Sequence, residues 1–320
     1  MKSENSIFKN KAWENATPFI SVVTPVYNRH DILPRALKSV EQQTYGNFEY
    51  IIVNDGSTEN LDDVVIPFME GAAFPVLYLK KNNGGVHSAR NLGIDHARGV
   101  LITWLDSDDE FVPDTLKVFV NLWNSIPEDK KPEYYQISAR CKNQEGVEGV
   151  RFPENINSLP KEEAYRVYHR EKSENLVANL TSVMKQNKWP EPEGIRFVAE
   201  NIVWLKLEQK YRTLFTNEIL RIYHTEGTDH IYCRDKKKSL QYVKDSEWIF
   251  SYVLNHWRVY GGSVKYFCEV LFKYLVFRSI LKRKGLHVYG LSSGTAKFFS
   301  VFFFLPCLIG SLVYERRKME

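Results

Sequence analysis

The 320-residue chain is long enough for one large domain or two small ones, and its composition, 43% hydrophobic and 26% charged, is typical of a globular protein. Its four scattered cysteines form no CxxC pair, which argues against a zinc site or a disulfide framework and favours a reducing compartment. The polar first 17 residues are not expected to be a signal peptide. The net charge of +4 divides into −6 over the first 232 residues and +10 over the rest, which suggests two roles along the chain.

The first hundred residues alternate predicted strands and helices. Apolar, β-branched runs predict the strands, and helical periodicity between turn signals predicts the helices. The strands are "FISVVTPVYN", "FEYIIVNDGST", "FPVLYLK" and "VLITWL", and the helices cover 31–43, 61–69 and 86–97. Strands joined by helices through short connections predict an α/β fold, with a mostly parallel sheet flanked by helices on both faces.

Beyond residue 112 the pattern is less regular. "YYQIS" predicts a further strand, whereas residues 113–123, 174–186 and 197–211 predict helices. From about residue 240 the chain is rich in aromatic residues, and its periodicity predicts a C-terminal helical extension.

Polar residues follow the predicted strand ends. Ligands of such sheets bind beyond the carboxyl ends of the strands, so we expect Tyr27, Asp55, Asn83 and the acidic cluster Asp106–Asp109 to converge on one edge. Carboxylates packed this closely repel one another, and a hard divalent cation with oxygen ligands would offset that repulsion. On extended backbone Asp106 and Asp108 would point the same way, with Asp109 turned aside to cap the next helix. A solvated acidic turn explains an isolated "DSDD" equally well.

Four sequence blocks occur in a fixed order over the first 115 residues: "SVVTPVYNR", "YIIVNDGST", "NNGGVHSARNLGI" and "WLDSDDEFVPDTL". Together they resemble the inverting family 2 glycosyltransferases, which have the Rossmann-like GT-A fold. The resemblance implies a nucleotide-sugar-binding half at 18–112 and an acceptor-binding half at 113–232. A polar segment at 1–17 would precede them, and a basic, aromatic helical tail at 233–320 would follow.

The resemblance also implies roles for individual residues. Tyr27 would lie against the nucleotide base, Asp55 would accept a hydrogen bond from uracil, and Arg90 would sit near the diphosphate. Asp106 would face the sugar of the donor, and Asp108 would bind the Mn²⁺ or Mg²⁺ that bridges the diphosphate. The other residues of the implied nucleotide-sugar site are Thr24, Pro25, Asn83, Gly85 and Ser107.

The chemistry of these residue types allows both the implied roles and simpler ones. An aromatic ring such as that of Tyr27 can stack on a planar base. A carboxylate can accept from an imide N–H, although Asp55 also suits an Asx turn before Gly56. Arg90 can clamp a phosphate with two parallel hydrogen bonds, whereas an exposed helix arginine is the ordinary alternative.

The implied catalytic base departs from the family pattern. "IRFVAENIVWL" resembles the block that carries the base, but Asn201 replaces the second acid of the usual pair. Glu200 is therefore the predicted base, with Glu193 in reserve, and the ordinary alternative is an acid favoured by the dipole at a helix N-terminus. "RIYHTEGTDHIY" resembles a segment that supplies a histidine near the metal in some relatives, so His224 would be either a metal ligand or a structural histidine.

The C-terminal tail combines basic and aromatic residues. Residues 298–314 carry no charge, but this run is shorter than the ~20 residues that a spanning helix needs. We expect it to dip into the cytoplasmic leaflet beside the basic helix at 272–284, which anionic lipid would attract. A buried hairpin or a homodimer contact would bury the same residues, and no RNA-binding motif supports a nucleic-acid partner.

The sequence thus predicts a metal-dependent inverting enzyme that moves a hexosyl or N-acetylhexosaminyl group from a UDP-sugar to a glycan or lipid-linked glycan. Its place would be the cytoplasmic face of a bacterial membrane, in surface polysaccharide synthesis. A nucleotidyltransferase on a similar sheet is one alternative, although "TPVYNRHD" lacks the Gly-rich, basic phosphate loop of that class. The other is a catalytically inactive scaffold, suggested by Asn201.

Overall fold

The computed structural model describes residues 6–161, 163–164, 168, 173–225, 239–257, 264–301 and 311. The chain forms two compact units. The first comprises Met1–Trp189 and Leu207–Thr225, and the second comprises Pro190–Lys206 and Glu226–Glu320.

The first unit is built on a nine-stranded sheet. The strands are β1 (Ser6–Lys9), β2 (Ile20–Val26), β3 (Phe48–Asn54), β4 (Val76–Lys80), β5 (Leu101–Trp104), β6 (Glu110–Phe111), β7 (Tyr134–Asn143), β8 (Asn175–Leu180) and β9 (Arg212–Tyr223). Their order across the sheet is β1-β4-β3-β2-β5-β8-β7-β9-β6.

The four strands predicted from the first hundred residues form the parallel core of this sheet. β2 lies between β3 and β5, and β4 pairs with β3, all in parallel. Every residue of β2 and β3 is buried, as a sheet covered on both faces requires. The antiparallel pairings of β1, β6 and β8 add strands around this core. The carboxyl ends of the parallel strands share one edge, where this class of sheet binds its ligands.

Residues 174–186, predicted as one helix, are instead a strand followed by a short helix. β8 ends at Leu180, and only Thr181–Gln186 is helical. Leu176 and Ala178 are buried on either side of the half-buried Val177, which is the alternation of a strand. Antiparallel ladders to β5 and β7 satisfy the β8 backbone on both sides. Pairing with strands distant in the sequence outweighs the local helical preference here.

Between the strands of the parallel core, helices form at the predicted positions. The helices described along the chain are α1 (Leu33–Glu41), α2 (Asp62–Gly71), α3 (Val86–His96), α4 (Thr115–Ser125), α5 (Thr181–Gln186), α6 (Asn201–Glu208), α7 (Leu240–Asn255) and α8 (Val264–Arg283), with 3-10 turns at Lys131–Glu133 and Ile156–Ser158. α1 shows why they form: Leu33, Ala36, Leu37 and Val40 recur at helical spacing and are all buried.

The second unit is helical in its described part. α7 and α8 pack through a small apolar cluster around Val243, Phe277 and Ile280. Residues 294–301 are also helical. Within the described residues, no helix is both long and apolar enough to cross a bilayer. Most of the charge-free run at 298–314 lies outside the described residues, so its predicted membrane contact is not tested here.

Candidate active site

The loops that follow β2 and β3 are tied to each other. Asn28 adopts a left-handed backbone conformation (φ 50°). Its amide donates to the Ser57 hydroxyl (3.0 Å), and its side-chain oxygen accepts from the Thr58 amide (2.8 Å). Tyr27, directly before it, leaves 44% of its surface exposed, so its ring is free to face a ligand.

Thr24 and Pro25, which the resemblance assigns to the nucleotide-sugar site, are buried within β2. Thr24 is fully buried, and its hydroxyl accepts a hydrogen bond from the Tyr50 hydroxyl at 3.0 Å. In this structure the Thr24 hydroxyl therefore supports the strand that carries the site. Their predicted contact with a ligand stays a prediction.

Asp55 organises the "NNGG" loop that precedes α3. Its buried carboxylate accepts from the Lys81 ammonium (2.7 Å) and from the backbone amides of Gly84 (2.9 Å) and Gly85 (2.8 Å). The Asn83 side chain donates to the Asp55 carbonyl at 2.9 Å. Burial raises the pKa of Asp55, and the Lys81 and amide hydrogen bonds oppose this rise. Asp55 thus fixes the loop, and a uracil N–H would share a carboxylate that already has protein donors.

The turn after β3 differs in detail from the predicted Asx turn. The side chain that accepts from the Ser57 amide (2.8 Å) is that of Asn54, and the Asp55 carboxylate is directed to the "NNGG" loop instead. Gly56 has φ +72°, and a Cβ there would lie 2.5 Å from the Asn83 nitrogen. Glycine is therefore required at this close approach of two loops.

The acids after β5 form a turn, which corrects the extended Asp-x-Asp geometry expected from the sequence. The Asp109 amide donates to the Asp106 carbonyl at 3.0 Å, so Ser107 and Asp108 are the central residues of the turn. Ser107 and Asp109 are buried, whereas Asp106 and Asp108 are partly exposed. The turn sits at the carboxyl end of the parallel core, as predicted.

Arg90 compensates Asp106. It is 6% exposed, so it is a buried arginine and the exposed-helix alternative does not apply. Its guanidinium lies 3.0 Å from the Asp106 carboxylate and near the rings of Trp104 and Trp189, at 5.8 and 5.9 Å. Desolvation in the site raises the pKa of Asp106, but the charges of Arg90 and Arg221 outweigh it, and the net shift is downward.

Arg221 compensates Asp109, which corrects the expectation that Asp109 caps the next helix. Arg221 lies on β9, is 7% exposed, and approaches the carboxylates of Asp109 (3.4 Å) and Glu174 (3.0 Å). Asp109 also accepts from the His224 amide at 3.1 Å. Burial raises the pKa of Asp109, and the neighbouring Asp106 and Asp108 add to the rise that Arg221 opposes. Asp109 therefore joins the acidic turn to the end of β9.

His224 and Arg35 hold the rest of the acidic segment. The His224 Nε2 lies 2.7 Å from a carboxylate oxygen of Glu110. Arg35, on α1, donates to the Asp108 carbonyl and lies 3.9 Å from the Glu110 carboxylate. Among the described residues no partner contacts the buried Nδ1 of His224. His224 is thus placed beside the acidic turn, where the sequence suggested it, but its contact is with Glu110.

Asp108 is the acid of the turn whose carboxylate no described side chain compensates. Within the described residues no hydrogen bond or ion pair engages its carboxylate, whereas Asp106, Asp109 and Glu110 each face a cationic or imidazole side chain. No three His, Cys, Asp or Glu side chains of the described part are grouped to hold a metal ion. The Asp108 carboxylate is an oxygen donor of the kind that suits Mn²⁺ or Mg²⁺, and its role as a metal ligand stays a prediction.

Glu200 lies in the second unit, directly before α6, and is exposed. Its carbonyl accepts from the amides of Val203 (3.0 Å) and Trp204 (3.2 Å), so Glu200 lies at the start of a helix, as the ordinary alternative to a catalytic role predicts. Upstream in the same segment, the Arg196 amide donates to Asp245 of α7 at 3.0 Å. The role of Glu200 as base stays a prediction, as does the reserve role of Glu193.

Sequence reasoning missed the cations of the site except Arg90. Lys81 follows β4 directly, next to the "NNGG" loop, and this position at a strand end was an available signal. Arg35 and Arg221 had no comparable signal. They lie on α1 and β9, far from the acids in the sequence, and only the folded chain brings them to the turn.

Comparison with known proteins agrees with this architecture. Residues 21–138 match the family model described as "Glycosyl transferase family 2". An uncharacterized glycosyltransferase of Rickettsia felis is 35% identical over 244 residues, which cover 74% of this chain and 37% of the relative. Glycosyltransferase GlyG of Streptococcus pneumoniae is 43% identical over 91 residues, 28% of this chain and 30% of the relative. Residues 21–138 are therefore a family 2 glycosyltransferase domain.

Solved structures show the same fold over nearly the whole chain. TarS 1–349 of S. aureus, in complex with UDP-GlcNAc, has a TM-score of 0.54 at 15% identity and covers 93% of this chain and 91% of its own. The mannosyltransferase PcManGT of Pyrobaculum calidifontis, with GDP-Man and Mn²⁺, has a TM-score of 0.50 at 14% identity and covers 97% and 90%. These likenesses confirm the predicted GT-A fold.

The chain spans about a third of the length of the curated relatives it matches, between 32% and 37% for the Rickettsia proteins. Whole-protein activity, substrates and partners are accordingly matters for proposal.

Proposed function

We propose that this chain is a glycosyltransferase that transfers a sugar, with inversion, from a UDP-sugar to a hydroxyl of a glycan or lipid-linked glycan. One observation carries the proposal: at the ligand-binding edge of a family 2 domain, described side chains compensate Asp106, Asp109 and Glu110 of the "DSDDE" turn, whereas no described side chain pairs with the Asp108 carboxylate. A divalent ion and the diphosphate it carries would complete that turn.

The donor proposed is a UDP-sugar, either hexosyl or N-acetylhexosaminyl. TarS, which shares the fold, is solved with UDP and with UDP-GlcNAc. The half-exposed ring of Tyr27 offers a stacking surface for uracil, a contact worth ~1–3 kcal/mol in nucleic-acid systems. Asn83 and Gly85 belong to the loop that Asp55 fixes, so they would present the backbone of that loop to the donor.

Asp108 would hold Mn²⁺ or Mg²⁺ together with phosphate oxygens, and the ion would offset the charge that develops on the departing diphosphate. Arg90 keeps Asp106 ionised and in place, because the two groups form a 3.0 Å ion pair in a buried setting. His224 would orient Glu110 beside the turn, and the predicted role of His224 as a metal ligand requires that this 2.7 Å contact be exchanged for the ion.

Glu200 is proposed as the base that removes the acceptor proton, a role that typically contributes on the order of 10²–10⁴-fold. Glu200→Gln keeps the size of the side chain and removes its basicity. We expect transfer to fall by about 100-fold or more while donor binding is retained. Full transfer by the variant would exclude Glu200, and Glu193→Gln would then be the next test.

The acceptor proposed is a growing bacterial surface polysaccharide, carried by lipid at the cytoplasmic face of the membrane. The charge of +10 from residue 233 onward supports a location beside anionic lipid. Nothing in the chain resembles a nucleic-acid-binding motif, and a homodimer is compatible with the same tail.

Calorimetry of UDP and of a panel of nucleotide sugars, each with and without Mn²⁺, tests the proposal. We expect uptake of a UDP-sugar that depends on the metal, and release of UDP once an acceptor is added. Release of pyrophosphate would identify a nucleotidyltransferase instead. Absence of metal-dependent uptake for every nucleotide sugar would overturn the proposal and favour an inactive scaffold.

A further inference from the structure

Exposed apolar side chains concentrate in one part of the second unit. Among the described residues, twelve large hydrophobic side chains are exposed, and six of them lie between residues 264 and 301. Those at the start of α8 and in the helix at 294–301 define a surface that we call the apolar patch. Its members, with their exposed fractions, are Val264 (81%), Tyr266 (41%), Phe298 (63%), Phe299 (42%) and Val301 (74%).

Ring contacts join the patch into one surface. The Tyr266 ring lies 5.8 Å from that of Trp257, which lies 4.8 Å from Phe267. Phe267 in turn lies 5.9 Å from Phe299, whose neighbour Phe298 is 5.4 Å away. The start of α8 and the helix at 294–301 therefore present their exposed rings together. Contiguous exposed apolar surface of this kind marks a site of interaction.

Basic side chains stand within the patch. Lys265 adjoins Tyr266, Lys297 adjoins Phe298, and both lysines are exposed. Glu269, one turn further along α8, is the nearby acid, and no acid follows it before Glu315. The segment 264–301, which carries the patch, therefore has seven basic residues and one acid.

We propose that the apolar patch docks onto an anionic lipid bilayer. Aromatic rings with flanking lysines are suited to the interface, where the rings enter the headgroup region and the ammonium groups contact acidic lipid. The helices of the described part are unsuited to crossing a bilayer, so the patch would lie on the membrane plane. The inference rests on the membrane location proposed above and names its contact surface, but it is independent of the donor chemistry.

Charge and side-chain type favour this partner over two others. A second copy of the chain, docked patch to patch, would bring Lys265 and Lys297 of both copies together, with only one nearby acid along α8, Glu269, in each copy to oppose them. RNA would use the lysines and rings, but it offers no burial for the exposed aliphatic side chains of Val264 and Val301. Lipid satisfies both the basic and the aliphatic members of the patch.

Vesicle flotation of the full chain tests the proposal, with phosphatidylcholine vesicles prepared with or without phosphatidylglycerol. The double variant F298S/F299S removes two rings of the patch, and we expect its partition coefficient to fall by at least about 10-fold. Phe8→Ser is the matched control, since Phe8 is 38% exposed on β1 in the first unit, and it should partition like wild type.

The double variant K265Q/K297Q measures the electrostatic contribution to vesicle binding. Each basic group near anionic lipid contributes about 5-fold, so we expect about a 30-fold loss on phosphatidylglycerol vesicles and little change on phosphatidylcholine alone. Lys117→Gln, an exposed lysine of α4, is the control and should leave partitioning unchanged.

Several results would overturn the assignment. If F298S/F299S partitions as strongly as wild type, other residues bind the lipid. If wild type binds equally to vesicles with and without phosphatidylglycerol, the lysines have no role in binding. Displacement from vesicles by a single-stranded RNA oligonucleotide, or a dimer in light scattering that F298S/F299S abolishes, would identify the other partners. UDP-dependent thermal shift, measured on the same variants, should match wild type. Absence of a UDP-dependent shift in the wild-type protein would count against the donor proposal and leave the lipid result standing.

Discussion

The two units handle buried carboxylates in different ways. In the first unit the buried or partly buried acids face cations: Asp106 pairs with Arg90, Asp109 with Arg221, and Glu49 with Arg98 at 2.7 Å. In the second unit Asp245 and Glu247 accept from backbone amides instead, of Arg196 and Tyr289 respectively. An amide hydrogen bond stabilises an ionised carboxylate less than a full opposite charge does. Burial raises the pKa of Asp109 in the first unit and of Glu247 in the second, whereas the charges of Arg90 and Arg221 lower the pKa of Asp106.

Asp108 breaks the pattern of the first unit, because no cation of the described protein faces its carboxylate. If a divalent ion supplies that charge, Asp108→Asn should lower transfer by at least about 100-fold, since it weakens a ligand of the ion without changing the size of the side chain. Steady-state assay over a Mn²⁺ series checks this. Asp129→Asn, an exposed acid of the same unit, is the control. Unchanged metal dependence in Asp108→Asn would contradict the assignment.

Substitution of Arg221 tests whether a cation compensates the acids of the first unit. Arg221→Met leaves Asp109 buried beside an acidic turn, and removal of one partner from a buried ion pair typically costs about 3–5 kcal/mol. We expect the free energy of unfolding in urea to fall by about that amount, and R221M/D109N to recover part of it. Lys117→Met, which removes an exposed 3.9 Å contact with Asp114, should change stability by less than about 1 kcal/mol. A similarly small effect for Arg221→Met would show that the pair does not compensate the turn.

The pH dependence of stability at Glu247 tests the second unit, where buried acids accept hydrogen bonds from backbone amides. Burial raises the pKa of Glu247 from 4.5 to about 7, against the opposing effects of the Tyr289 amide and Arg278. The folded form therefore holds a proton that the unfolded chain releases, so this stability is complete below pH 4.5 and is lost as the pH rises through about 7.

Between pH 4.5 and about 7, we expect the contribution of Glu247 to the free energy of unfolding to fall by roughly 3 kcal/mol. Hydrogen exchange of α7 and α8 amides, corrected for intrinsic rates, should show weaker protection at high pH. Glu247→Gln should flatten the profile, whereas Glu269→Gln, at an exposed position on α8, should not. Protection that does not depend on pH in wild type would refute the explanation.

A substitution at Gly56 tests the loop whose amides donate to Asp55. In this part of the first unit, a cation and backbone amides share one carboxylate. Gly56→Ala combines a positive φ with a Cβ 2.5 Å from the Asn83 nitrogen, whereas Gly146→Ala has φ +84° and open space. The φ alone costs about 1–2 kcal/mol, so Gly56→Ala should lose about 1–3 kcal/mol more in unfolding free energy than Gly146→Ala. Weaker UDP binding should accompany Gly56→Ala only. Equal losses for both variants would remove the argument from close approach.

Much of the fold could be predicted because its signals are local. The four strands of the parallel core and the helices between them follow from runs and periods of apolar residues. The error at β8 arose because "NLVANL" also reads as helix, and its partners β5 and β7 lie far away in the sequence. The position of the acidic turn was also predicted correctly, because the turn directly follows β5 and β5 has a local signal.

The sequence by itself determined the ordered blocks of the family, the acids at the strand ends and the glycines of the "NNGG" loop, because each of these is a local feature of the chain. Only the tertiary structure decided how each acid is compensated. Arg35 and Arg221 come from α1 and β9, and their distance along the chain hides the pairing. Coulomb interaction acts through space over a few ångströms, whereas a sequence records only neighbours along the chain, so the different partners of Asp106, Asp108 and Asp109 became visible only after folding.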